Sequence, residues 1–255
     1  MDTRYWGPSG WRLLHLISFS TTVDPKNLIP FFWTIPYILP CKYCRKSFSE
    51  NIDKDPIDKA TSPAKWLWRM HNKVNAKLRM QKVHNEQPDP RFSSVQKIYE
   101  ERLQSGCSRT TFEGWEFLFS LAEAHPLSRQ VRTSVPIQGH PALETIIDPL
   151  ERNRWNVMEP EERLVYYNKF WELLPSVLPF REWTDHWEKA SSLNKAICRK
   201  ECLKHLWAIR RHMEAELELL NRTNYNSLCK ELQNNRSGCA KSMRGKTCRK
   251  KKQLS

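Results

Sequence analysis

Glycine is scarce, with seven residues in 255, and runs in which Val, Ile and Thr alternate with polar residues are few. Both shortages argue against a sheet and for helices. Hydrophobic residues make up only 39 %, yet eleven Trp and ten Phe can fill a core with few side chains. A long apolar run is also missing. The stretch from Leu28 to Leu39 is broken by Pro30 and Pro36, and the start, MDTRYWGPSGW, has no apolar core after its charges. No transmembrane segment and no secretory signal are therefore expected, and the protein is expected to stay in the cytosol. Eight cysteines are unusual there, because cytosolic thiols that pair are mostly transient, catalytic or metal-bound.

The net charge is +14, and it is unevenly placed. Between Cys229 and Ser255 there are nine Lys or Arg and one Glu, so the last segment holds +8 of the total. Such a tail attracts nucleic acid, acidic proteins or anionic lipid without distinguishing them, or is simply a solvated, disordered end.

Helical spacing organises most of the chain. A first helix is expected after Gly7-Pro8, with Trp11, Leu14, His15 and Ser18 on one face. A second strong helix is expected at 61–81, capped by Thr61 or Ser62 with Pro63 in its first turn. Further helices are expected at about 92–104 and 111–125. Three prolines and a mixed polar composition over 126–142 suggest a linker at 129–142, beyond which three more helical segments run to about 225. The expected layout is therefore a helical domain over 1–128, the linker, a smaller helical domain over 143–225, and a basic tail over 226–255. No internal repeat is evident at this level.

Cys41-x-x-Cys44 lies behind Pro40. A structural zinc site needs four ligands, usually as two close pairs, and no second C-x-x-C exists. A purely structural bridge across this spacing would close a tiny loop and contribute little to stability. The spacing suits a disulfide that opens and closes. Pro40 followed by an amphipathic stretch suggests a helix start, where the dipole favours a thiolate, and Lys42, Arg45 and Lys46 add positive charge. Thioredoxin-like exchange proteins use a βαβ fold that this chain lacks, so the electrons need another acceptor.

His71 and Asn75 share a helix face with Leu67, Val74 and Leu78, with Asn72 at its margin. Buried polar groups among apolar neighbours need partners. Backbone or water could supply them, or a polar ligand lodged between helices. The residues alone leave both readings open.

Taken together, Trp6, Trp11 and His15 (W-x-x-x-x-W-x-x-x-H), then Cys41 and Cys44, then His71, Asn72, Val74, Asn75 and Leu78 (H-N-x-V-N-x-x-L) resemble the Erv/ALR family of FAD-linked sulfhydryl oxidases. Order and spacing match over about residues 5–80, and the later WEFLFSLA segment is most similar to versions carried by large DNA viruses. The resemblance implies an all-α protein, with FAD at the mouth of a four-helix bundle and often a homodimer. Trp6, Trp11 and His15 would flank the flavin from the first helix. His71, Asn72, Val74 and Asn75 would meet its adenine and ribose side, with Lys77 near the phosphates. Cys44 would be the flavin-proximal thiol and Cys41 the exposed one. This chain departs from the family pattern at Arg79-Met80, where Gly-Lys is common, and has only Cys107 where many members carry a bracing cysteine pair.

By the same resemblance, protein clients carrying dithiols would be oxidised and molecular oxygen reduced to hydrogen peroxide, supporting virion disulfides in the host cytoplasm, at the virus factory and in the virion. Members often add a mobile cysteine pair as a shuttle. Cys239 and Cys248 in the tail are the first candidates here. Cys198 and Cys202 are i, i+4 on a helix, with Cβ atoms ~5–6 Å apart against the ~3.8 Å a bridge needs. Together with His205 they could instead ligate a metal, although no fourth ligand is evident. The alternatives are a non-enzymatic protein binding zinc and nucleic acid, which lacks paired ligand spacing and a groove-reading motif, and a decayed oxidase serving as a scaffold.

Overall fold

Asp2 starts the first helix, its carboxylate accepting from the Arg4 N–H in a computed structural model that describes residues 1–81, 87–128, 135–191 and 198–236. Helix α1 (Thr3–Phe19) thus begins before Gly7-Pro8, where the sequence suggested its start. Pro8 is tolerated inside the early turns because only one backbone bond is lost and the Asp2 cap secures the end. Helix α2 (Pro25–Ile38) is capped by Asp24 and contains Pro30 and Pro36. Interior prolines cost about 3 kcal/mol each, offset here by burial of Leu28, Phe31, Phe32, Ile35 and Ile38. Helix α3 (Lys42–Lys54) follows Cys41, and α4 (Pro63–Met80) has the expected Ser62 cap and leading proline. Helices α5 (Phe92–Gln104) and α6 (Trp115–Glu123) complete the first part.

The remainder is helical too: α7 (Pro149–Trp155), α8 (Pro160–Val177), α9 (Arg181–Ala190), α10 (Arg199–Glu216) and α11 (Tyr225–Asn234). Among the described residues there is no strand, and the protein is all-α. None of these helices is long and apolar enough to cross a membrane.

The packing reveals a repeat that composition concealed. Helix α1 packs on α4 and α5 as α6 packs on α10 and α11, and the pairs α2–α3 and α3–α4 recur as α8–α9 and α9–α10. The sequences then align. Pro36, Leu39, Pro40, Leu67, Trp68 and Leu78 recur 139 residues later as Pro175, Leu178, Pro179, Leu206, Trp207 and Leu217. Gly10-Trp11 recurs as Gly114-Trp115. What recurs are the residues that end helices and fill their contacts. Cys41 and Cys44 have become Phe180 and Trp183, His15 has become Phe119, and His71 and Asn75 have become Arg210 and Glu214. The loss of the motif's cysteines, histidines and asparagines hides the second copy from motif reading.

The two copies meet along α1 against α6 and α2 against α8. Phe31 stacks on Phe170 at 5.2 Å and Tyr37 on Tyr166 at 3.6 Å, so one apolar core runs through both. In the second copy the Arg210 guanidinium lies over Trp115 and Phe119 and pairs with buried Glu214 at 2.8 Å. Charge fills there the position that histidine and asparagine hold in the first copy.

Candidate redox site

Pro40 ends α2's exit, and Cys41 enters α3 with an extended backbone. Its carbonyl accepts the N–H of Cys44 at 3.0 Å and of Arg45 at 2.9 Å, which places Cys44 in the first helical turn. That end of a helix presents unpaired N–H groups and partial positive charge. Both cysteines are half-buried. The three nearby cations differ in what they do. Lys42 reaches out to the Val135 carbonyl. Lys46 sits 3.5 Å over the Trp155 ring and 3.5 Å from the Glu50 carboxylate. Arg45 is buried, donating to the Leu39 carbonyl at 2.9 Å and to Asn156 Oδ1 at 2.6 Å.

Helices α1, α4 and α5 bring a set of rings together. His71 stacks flat on Trp11, with centroids 4.0 Å apart and planes at 9°. His15 Nε2 and His71 Nδ1 are 3.1 Å apart, so one ring donates and the other accepts. His15 also faces Tyr99 at 5.0 Å, and Tyr99 stacks on Phe19 at 5.6 Å. His15 is 2 % exposed. Burial, and secondarily the His71 ring, pushes its pKa down to about 3, so it is neutral at physiological pH. Its Nδ1 is buried with no partner among the described residues. Burial likewise pushes the Tyr99 phenol up to about 12.

A polar rim continues along α4. Asn75 Nδ2 donates to Asp89 Oδ1 at 3.1 Å, and Arg79 binds both Asp89 oxygens at 2.8 and 2.7 Å. Arg79, where the family pattern has glycine, thus pins the Pro88-Asp89-Pro90 segment to the helix. Lys77 donates to Ser47 Oγ, one turn beyond Cys44, and so joins the ring cluster's helix to the cysteine helix. Asn72 and Val74 are half-buried on α4. Trp6 is turned away from these rings and packs on Phe117 at 5.9 Å.

The structure therefore brings Trp11, His15 and His71 into contact, while Asn75 on the same helix is held by Asp89 and Lys77 by Ser47. Cys107 is buried, and burial, then Glu182, pushes its thiol up to about 11. Cys202 is buried 3.1 Å from the Tyr167 hydroxyl, with its thiol pushed up to about 11, whereas Cys198 is exposed at the start of α10. His205 pairs with Ser191 rather than with either sulfur. Among the described residues no three His, Cys, Asp or Glu side chains gather as a metal site. Cys239 and Cys248 lie outside the described residues. Sequence reading missed Ser47, Asp89, Tyr99 and Asn156. Only Asp89, framed by two prolines, carries a local signal of a fixed turn.

Residues 8–97 match the model of the Erv1/Alr family. The mitochondrial FAD-linked sulfhydryl oxidase ERV1 of Saccharomyces cerevisiae is 31 % identical over 88 residues, which cover 32 % of this chain and 47 % of that protein. A probable FAD-linked sulfhydryl oxidase of Acanthamoeba polyphaga mimivirus is 29 % identical over 85 residues, 29 % of this chain and 59 % of the relative. A putative FAD-linked sulfhydryl oxidase of Invertebrate iridescent virus 3 is 28 % identical over 87 residues, 31 % of this chain and 59 % of the relative. The chain spans about half the length of the curated relatives it matches. No solved structure matches it significantly. The matched residues include Trp11, His15, both cysteines of the C-x-x-C and the whole HNKVN stretch, and it is this region that is similar to the Erv1/Alr family.

Proposed function

We propose that the chain is an FAD-dependent thiol oxidase that makes disulfides in protein clients and returns the electrons to oxygen. One observation carries the reading. A half-buried C-x-x-C at a helix start is joined, through Lys77 and Ser47, to a helix whose histidine and tryptophan rings form a flat, polar-edged cluster.

That cluster fits FAD. Layered rings suit a planar ligand, and the orphaned His15 Nδ1 offers a buried polar atom still seeking a partner. Lys77 adds a cation between the ring-bearing helix and the cysteine helix. In this reading Trp11, His15, His71, Asn72, Val74, Asn75 and Lys77 hold the cofactor, and Trp6 supports the helix that carries two of them. When bound, FAD accepts an electron pair and passes it to molecular oxygen, giving hydrogen peroxide.

The chain's own residues perform the exchange. A client thiolate attacks Cys41 Sγ of the oxidised pair and displaces Cys44 as a thiolate. The second client thiol then attacks the client-side sulfur of the mixed disulfide and displaces Cys41. The client ends as a disulfide, the pair as a dithiol, and two electrons and two protons have moved inward. Cys44, in the first turn, is the inner thiol that carries them onward. Cys239 and Cys248 serve as a shuttle that brings electrons from bulky clients. The chain leaves the described region at Arg236, which binds Glu123 at 2.7 Å, next to Asn235, whose carbonyl accepts the Asp2 N–H. Asn235 is thus held at α1's first turn, where Met1 lies within electrostatic range of both Cys41 and Cys44. Virion disulfides, formed in the host cytoplasm, are the proposed product.

The test is Cys44→Ala. The variant is expected to keep bound flavin and to lose dithiol-driven oxygen uptake. Full uptake would refute the assignment.

A further inference from the structure

Arg45 is a buried cation without an anion. Its side chain is 7 % exposed, and among the described residues it makes no ion pair. Its two NH₂ groups donate to Leu39 O and Asn156 Oδ1, and Nε is left unsatisfied. A second buried guanidinium, Arg163 of α8, stands close by, likewise without an ion pair. Burial and then Arg45 pull Arg163 down to about 9, against the pull of Glu159. Two guanidinium groups sharing a buried site are costly unless negative charge balances them. Glu159 faces Arg163, and the negative groups that act on Arg45 are the sulfurs. Burial lowers Arg45's own pKa, while Cys41 first and Cys44 second act in the opposite direction.

Asn156 explains how the arginine is held. It ends α7 in the left-handed conformation at φ 59°, and its amide bridges from Arg45 to the Val135 carbonyl. Asn153 on the same helix donates to Pro36 O and Ser49 Oγ, fixing α7 against α2 and the middle of α3. The segment that does this belongs to the half of the chain that lost its own cysteines.

We propose that Arg45, clasped by Asn156, is a positioning residue of the cysteine pair: it ties the Leu39-Pro40-Cys41 turn and keeps a fixed positive charge beside Cys41, stabilising the Cys41 thiolate. This rests on the reading of Cys41 and Cys44 as the redox pair. In the exchange, Cys41 leaves as a thiolate when the client disulfide closes, and a better-stabilised leaving thiolate departs faster. The other cations contribute less here. Lys42 points to Val135, Lys46 is engaged with Trp155 and Glu50, and Arg163 is itself held down by burial and by Arg45. Met1 approaches from the α1 side.

The test is the pH dependence of iodoacetamide labelling at Cys41 in the reduced full-length protein, resolved by peptide mass spectrometry. It requires neither flavin nor turnover. Arg45→Gln is expected to raise the labelling midpoint by about 1 pH unit, and Arg45→Lys to restore most of it. Asn156→Gly keeps the left-handed backbone and leaves Arg45 in place, so it tests the clasp should Arg45→Gln fail to fold. It is expected to give a smaller rise in the same direction. Profiles of Arg45→Gln, or failing that Asn156→Gly, that superimpose on the parent would overturn the proposal while leaving the oxidase reading intact. A shifted profile in a chain that consumes no oxygen would keep the thiolate assignment and remove only the oxidase reading.

Discussion

The His15–His71 contact makes stability depend on pH in a way that can be worked out. His15 is buried, and its pKa is held at about 3 against 6.5 for the free side chain. Between those values the unfolded chain binds a proton that the folded chain refuses. Stability therefore falls as pH drops through this window, and is fully present above pH 6.5. Each unit is equivalent to about 1.4 kcal/mol, so moving from pH 7 to pH 5 is expected to cost about 2 kcal/mol at this one site. His205 is shifted in the same direction by burial, so total acid sensitivity does not isolate the effect. A variant does. His15→Leu removes the titrating ring while keeping an apolar side chain at the position. Urea midpoints should be measured for parent and variant at pH 7 and pH 5. The parent is expected to lose about 2 kcal/mol more than the variant over that interval. Equal losses in the two proteins would show that His15 is not buried as a neutral ring.

Three further outcomes are expected. Phe31→Ala and Phe170→Ala should each cost about 3–5 kcal/mol, and the double variant should show coupling of about 0.5–1.5 kcal/mol. Additive losses would mean that the stacking between the two copies does not form. Asp89→Ala, which frees Arg79 and Asn75, should weaken flavin retention on dilution and leave the fold's circular dichroism unchanged; undiminished retention would remove Asp89 from the site. Replacing Cys239 and Cys248 with Ser should slow oxidation of a protein dithiol while sparing a small one such as dithiothreitol, and equal rates would end their shuttle role.

How much of this was readable depends on what each residue encodes. The start of α4 was legible because Ser62 and Pro63 signal locally, and the cysteine turn because Pro40 and the C-x-x-C spacing do. The start of α1 was misplaced because Pro8 reads as a helix start, whereas the Asp2 cap reaches only two residues ahead to Arg4. The ring cluster was legible as a motif, but not its geometry. Nothing local says that His15 and His71, 56 residues apart, meet at 3.1 Å. The second copy was invisible for a different reason. Its recurring prolines, leucines and tryptophans are ordinary core residues, and only packing shows that they repeat. Asn156 lay beyond reach altogether, since its meaning comes from Arg45, 111 residues earlier.

The most direct test of the oxidase reading is the absorption spectrum of the purified protein, followed by oxygen uptake on adding a dithiol. A flavin band with uptake that disappears in Cys44→Ala is the predicted result. A protein without flavin, or one whose uptake persists in that variant, would contradict it.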